Sequence, residues 1–200
     1  MGNSIGQVVV LVVNTLGGLL ILALLLRFLL QVNKADFYNP VSQSLVKMTA
    51  PVLNPLRRVI PTWRNIDIVS VLLALVLSTL ASALMIFSAG FTLPGIGILI
   101  SWAFLGTISM ILKIYFWGLL ISIISSWVAP HSGNPALLLI QQLLEPLQSL
   151  FRKVIPPMGG LDFSPIFIFL GIQVVEIMVV GTLRQGLGLS SQVALYIIGI

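Results

Sequence analysis

A chain of 200 residues that is 58% hydrophobic and only 8% charged, with a mean hydropathy of +1.13, has too little polar surface to wrap a water-soluble core. It reads as an all-α integral membrane protein, which excludes disordered, collagenous and secreted disulfide-rich classes. With no cysteine and one histidine, thiol chemistry, disulfides and the usual metal sites are excluded, no cofactor is expected, and the net charge of +5 lies beside apolar spans, where anionic lipid is a nearer partner than nucleic acid.

The first predicted span covers about 5–30, broken by Asn14 and Arg27. It is too long for a signal-peptide core, and its leader Met1-Gly2-Asn3-Ser4 carries no basic residue, so an uncleaved helix is expected. Gly6 stands where an N-terminal acylation pattern requires Ser or Thr. A polar stretch, 31–65, holds Lys34, Lys47, Arg57, Arg58 and Arg64 against Asp36 alone, and leads to a second span at 66–87. The link 88–97 is uncharged. A third span, about 98–128, contains Lys113 and is long enough to tilt. The proline-rich stretch 129–161 carries Arg152 and Lys153, and a fourth span from 162 or 163 to 183 contains Gln173 and Glu176. After Arg184 comes a glycine-rich turn and an apolar tail, 193–200, too short to cross a bilayer.

Asn39-Pro40 recurs at Asn134-Pro135, and the shift of 95 residues from 39 to 134 then holds without a gap. Pro51 falls on Pro146, Arg57-Arg58 on Arg152-Lys153, Val59-Ile60-Pro61 on Val154-Ile155-Pro156 and Asp67 on Asp162. The chain is a duplicated unit of helix, basic proline-rich segment and helix, over 1–92 and 93–200. Each unit crosses twice, so both point the same way, and a pseudo-twofold axis along the membrane normal is expected.

Segments 50–61 (APVLNPLRRVIP) and 145–156 (EPLQSLFRKVIP) resemble the signature of the YggT family, also called YlmG, and with their flanking spans they cover nearly the whole chain. The second copy departs from the first at Leu150, which replaces Pro55, and at Gly159-Gly160, which replace Arg64-Asn65. The resemblance implies a bacterial inner-membrane protein with plastid relatives. It also implies links to osmotic tolerance and, in some lineages, cell division, and in plastids to assembly of a membrane cytochrome.

Within the repeated segments, Leu45, Met48, Val52, Leu56 and Val59, and likewise Ile140, Leu143, Leu147, Phe151 and Val154, recur at spacings of three and four, one face of a helix. Pro51 and Pro146 each remove a donor and are expected to kink or divide it, and Pro61 or Pro156 to end the segment before the next span. Two readings stay open: a linker resting on the bilayer surface, or two segments packed together as a docking surface. In either, Arg57, Arg58, Arg152 and Lys153 contact anionic headgroups or a partner's acidic surface.

Other chemistry is sparse. His131, beside Pro130 and Ser132-Gly133, has the composition of a solvated turn; Ser78 and Ser82 suit close helix contact more than nucleophilic attack; and Trp63, Trp102, Trp117 and Trp127 suit anchoring or packing. No enzyme is expected. The favoured function is a membrane adaptor or assembly factor that engages lipid and another membrane protein or a second copy of itself. A small channel or transporter for ions or osmolytes is the alternative.

The seven lysines and arginines of 31–65 and 129–161, against none in the link, place both basic segments in the cytoplasm and both termini outside. Lys113 and Glu176 fall on Gly18 and Ala81 at the repeat offset, so neither has a charged counterpart. Taking the cytoplasmic ends as about Ser126 and Phe163, each lies thirteen residues along its helix, about 20 Å at 1.5 Å per residue. A buried ion pair within a polar layer shared with Asn14 and Ser82 is therefore expected, either fixing helix packing or forming an ion or proton site.

Overall fold

In the computed structural model, which describes residues 4–58, 67–128, 132–154, 162 and 164–200, four helices are long and apolar enough to cross a membrane. They are α1 (Ser4–Val32), α3 (Ile68–Ser88), α4 (Ile96–Val128) and α6 (Ser164–Gly186). Between them lie α2 (Pro40–Arg57) and α5 (Pro135–Val154), and a short α7 (Ser191–Ala194) follows. Helices satisfy every internal backbone donor and acceptor within the segment, the condition that hydrocarbon imposes on any span. Two polar residues sit where the winding loosens to a π-helical turn, Asn14 within Val13–Gly17 of α1 and Glu176 within Val175–Gly181 of α6.

The repeat is visible in the local chemistry of α2 and α5. Each begins at an Asn-Pro step, where proline's fixed φ suits the first helical position. The Asn39 Oδ1 accepts from the Val41 N–H and the Asn134 Oδ1 from the Ala136 N–H, both at 2.9 Å. Pro51 and Pro146, both exposed, lie inside continuous helices, so neither divides its segment. The buried face of α2 is also rotated from the expected stripe. Ser42, Thr49 and Leu53 are buried, while Met48 is 56% exposed. In α5 the expected Leu143 is buried and Ile140, Leu147 and Phe151 are half-buried.

Packing runs from α1 to α3, from α3 to α4 and from α4 to α6, with α1 also touching α4. Helix α2 lies against α1 and α3, and α5 against α4 and α6, so each basic segment rests on its own pair of spans. The twofold arrangement is incomplete at the level of the spans. Helix α3 packs on α4, yet among the described residues α6 makes no comparable contact with α1.

The tail accounts for part of this asymmetry. At the repeat offset, 191–200 correspond to 96–105, the start of α4, but instead of opening another span the chain folds back among α1, α3 and α4. Leu189, Ala194, Ile197 and Ile198 are buried there, against Ile86, Leu99 and Trp102 and, deeper, Ile21 and Ile114. The Trp102 indole N–H donates to the Leu187 carbonyl at 3.1 Å. Gly106 makes the approach possible, because a Cβ on it would run into the Ile198 carbonyl; Gly199, at φ +99°, lies against the Gly106 carbonyl in turn. Non-helical backbone at this depth is tolerable because protein surrounds it.

Candidate functional site

Arg27 lies five residues before the end of α1, about 7 Å inside it at 1.5 Å per residue. Its side chain is only 10% exposed, and the adjoining α2 supplies partners: Nη1 donates to the Thr49 hydroxyl at 2.6 Å and to the Val46 carbonyl at 3.3 Å. The Thr49 hydroxyl in turn donates a hydrogen bond to the Leu45 carbonyl at 2.7 Å. Asp67, immediately before α3, completes the cluster. Its carboxylate is fully buried, ion-paired to Arg57 through Oδ2, 3.7 Å from the Arg27 Nε, and accepts from the Ser70 hydroxyl at 2.7 Å. A carboxylate removed from water needs such partners, since the desolvation cost is several kcal/mol per ion. Asp67 Oδ1 and Arg57 Nε are buried without a hydrogen-bond partner among the described residues.

A cavity of about 650 Å³ adjoins this cluster. Arg27, Arg57 and Lys34 form its cationic side; Leu30, Phe37 and Leu45 are among its apolar walls. Lys34 holds an unusual backbone. At φ +53° it takes the left-handed turn that ends α1, where the Ala35 N–H closes on the Leu30 carbonyl at 2.8 Å. Glycine usually fills this position because a side chain there is strained.

The second copy repeats the ion pair in a different setting. Arg152 Nε donates to the Asp162 Oδ2 at 2.8 Å, Nη1 lies 3.2 Å from Glu145 and Nη2 donates to Gln148 at 2.9 Å. The Arg152 guanidinium is pushed up by its hydrogen bond to Asp162. Partial burial pushes the Asp162 carboxyl up, but hydrogen bonds from Ser164 and Arg152 outweigh it and hold the group below its ordinary value. Position 122, which corresponds to Arg27, is serine. One copy thus has two arginines on one carboxylate and the other has one arginine on two.

Three side-chain amides, of Asn33, Asn39 and Gln142, join the copies. The Asn39 Nδ2 donates to the Pro135 carbonyl at 2.8 Å, and the Asn33 Nδ2 to the Leu143 carbonyl at 3.0 Å and the Tyr115 hydroxyl at 3.3 Å. The Asp36 N–H donates to the Gln142 side chain at 2.8 Å. The two proline-containing helices therefore meet at their N-terminal ends.

Several sequence expectations change. Arg57 and Arg152 pair with Asp67 and Asp162, each ten residues on across the return to the next span, and both arginine side chains stay partly exposed. Arg58 and Lys153 are exposed, as are Pro51 and Pro146, whereas Pro61, Pro156, His131 and Trp63 lie outside the described residues. Lys113 and Glu176 line one groove of about 220 Å³ with Gln173, but no ion pair joins them. The Lys113 ammonium donates instead to the Gly199 carbonyl at 2.8 Å, and Glu176 accepts from the Ser109 hydroxyl at 2.9 Å, so the tail and α4 supply the partners. Ser78 and Ser82 are buried, and neither hydroxyl has a partner among the described residues. The sequence reading missed Arg27, Thr49 and Asp67, although the recurrence of Asp67 at Asp162 was a signal of the ion pairs.

Fold and site together define a duplicated, multi-pass helical membrane protein. The chain belongs to the CCB3/YggT family, whose model matches residues 6–88 and again 101–183, two stretches 95 residues apart at both ends. It is similar to an uncharacterized protein of Pseudomonas aeruginosa, 42% identical over 187 residues that cover 93% of this chain and 95% of the relative. It is also similar to the uncharacterized protein YggT of Escherichia coli K12, 40% identical over 163 residues covering 82% and 84% of the two chains. No solved structure matches.

Proposed function

We propose that the chain is a non-enzymatic adaptor or assembly factor of the bacterial inner membrane, with α2 and α5 on the cytoplasmic side and a role in osmotic tolerance. The supporting observation is that Asn39 and Pro135 fasten the two basic helices together, which makes one shelf of two separate linkers. The shelf presents exposed Lys47, Arg58 and Lys153 beside exposed Met48 and Leu150, a mixture suited to headgroups at its rim and to another membrane protein or a second copy across its face.

The test is growth of a deletion strain at raised osmolarity, complemented with wild type or with Lys47→Glu, Arg58→Glu and Lys153→Glu combined. Wild type restores growth; the triple variant, at equal membrane abundance, does not. Equal restoration by both would sink the adaptor reading. A channel is the second reading, favoured by the groove that holds Lys113, Gln173 and Glu176 within the spans. Potassium flux through proteoliposomes, abolished by Glu176→Gln, would select it instead.

A further inference from the structure

We propose that the cavity beside Arg27 binds the headgroup of one anionic phospholipid, its phosphate held by Arg27, Lys34 and Arg57 and the upper part of its chains laid against Leu30, Phe37 and Leu45. The inference rests on the membrane reading of the chain and is independent of the adaptor role.

Three observations carry it. The first is charge: the cavity is lined by three cations, and the buried carboxylate behind two of them cancels only one. Arginine has five donors in a rigid fork, so the acceptors Thr49, Val46 and Asp67 leave capacity on both guanidinium groups for phosphate oxygens. The second is the mixed wall. A free phosphate has no use for Leu30, Phe37 and Leu45, whereas a phosphate ester with acyl chains matches both sides, and about 650 Å³ accommodates far more than an inorganic anion. The cavity also lies at the end of a span, where headgroups are at high local concentration.

The third is Lys34. Glycine would suit its φ of +53° without strain, yet the position carries a lysine whose side chain borders the cavity. The second copy supplies an internal comparison. There serine replaces Arg27, and Arg152 is shared between Asp162 and Glu145, so the corresponding place lacks excess positive charge.

The full chain in detergent is mixed with equal amounts of phosphatidylglycerol and phosphatidylcholine, and retained lipid is counted by native mass spectrometry. Wild type should retain phosphatidylglycerol, and Lys34→Gln should lower that retention about fivefold, the effect of one cation near an anionic headgroup. Lys34→Gly should lower it equally while leaving thermal stability unchanged or raised, because glycine relieves the left-handed turn. Arg184→Gln, at the far end of α6 and away from the cavity, should retain as much as wild type. Equal retention of the two lipids, or an equal loss on Arg184→Gln, would overturn the proposal. Displacement by glycerol phosphate or inorganic phosphate at the same concentration as the lipid would overturn the lipid assignment in favour of a soluble phosphate. Failure of these binding tests would leave the osmotic complementation test standing, since Lys34 is not among the charges reversed there.

Discussion

Asp67 and Asp162 occupy the same place in the two copies, ten residues after an arginine, and differ in what surrounds them. Asp67 is fully buried, so Asp67→Asn leaves Arg27 and Arg57 facing one another without a counter-charge and should cost about 3–5 kcal/mol. Asp162 is 32% exposed at its side chain, and Asp162→Asn should cost less than about 1 kcal/mol. Equilibrium unfolding by titration of sodium dodecyl sulfate into mixed micelles would measure both, and equal losses would contradict the distinction. Half of this was legible in the sequence, because the repeat carried both arginines and both aspartates forward. The other half was not. Arg27 and Thr49 are brought together only when α2 folds back along α1, and no spacing encodes that return. Lys113 and Glu176 show the same boundary: counting residues along a helix gives depth, but the direction around its axis and the carbonyl that reaches Lys113 come from tertiary packing.

At the scale of elements, the spans were legible to within two or three residues because hydrocarbon demands long apolar runs, and a run announces its own length. The orientation of α2 was less so. A helix at the bilayer edge can place apolar residues against protein or leave them exposed, and Met48 is exposed while Thr49, a polar residue, is buried on Arg27. The return of the tail was not legible, since an apolar stretch carries no sign of which helices it will pack against. Its fit rests on Gly106. Gly106→Val should destabilise by about 1–3 kcal/mol through overpacking against the Ile198 carbonyl, and should shift Trp102 fluorescence as its bond to Leu187 loosens. Gly118→Ala is the matched control, because a Cβ there meets Leu144 at 3.6 Å, an ordinary contact. A Gly106→Val protein with unchanged stability and emission would show that the tail does not occupy its place.

For the whole molecule, the placement of charge predicts one orientation. The described loops and ends beside α2 and α5 carry Lys34, Arg57, Arg58, Arg152 and Lys153, and the link between α3 and α4 carries none. Cysteines introduced at Ser44 and Gln141, both exposed, should resist a membrane-impermeant thiol reagent in spheroplasts, and one at Ser191 should react. The reverse labelling pattern would invert the topology. Ser42 is unsuitable as a probe because it is buried, with its hydroxyl on the Asp36 carbonyl.

The returning tail also sets an order of events during synthesis. Four spans can enter the bilayer one after another as they leave the ribosome, but Leu189, Ile197 and Ile198, which pack among α1, α3 and α4, are made after all of them. Until those residues arrive, Ile21, Ile86, Leu99 and Trp102 lack the tail side chains that cover them. The bundle is therefore completed only once the tail has been made, and a ribosome stalled just beyond α6 would leave a membrane-inserted chain without those contacts.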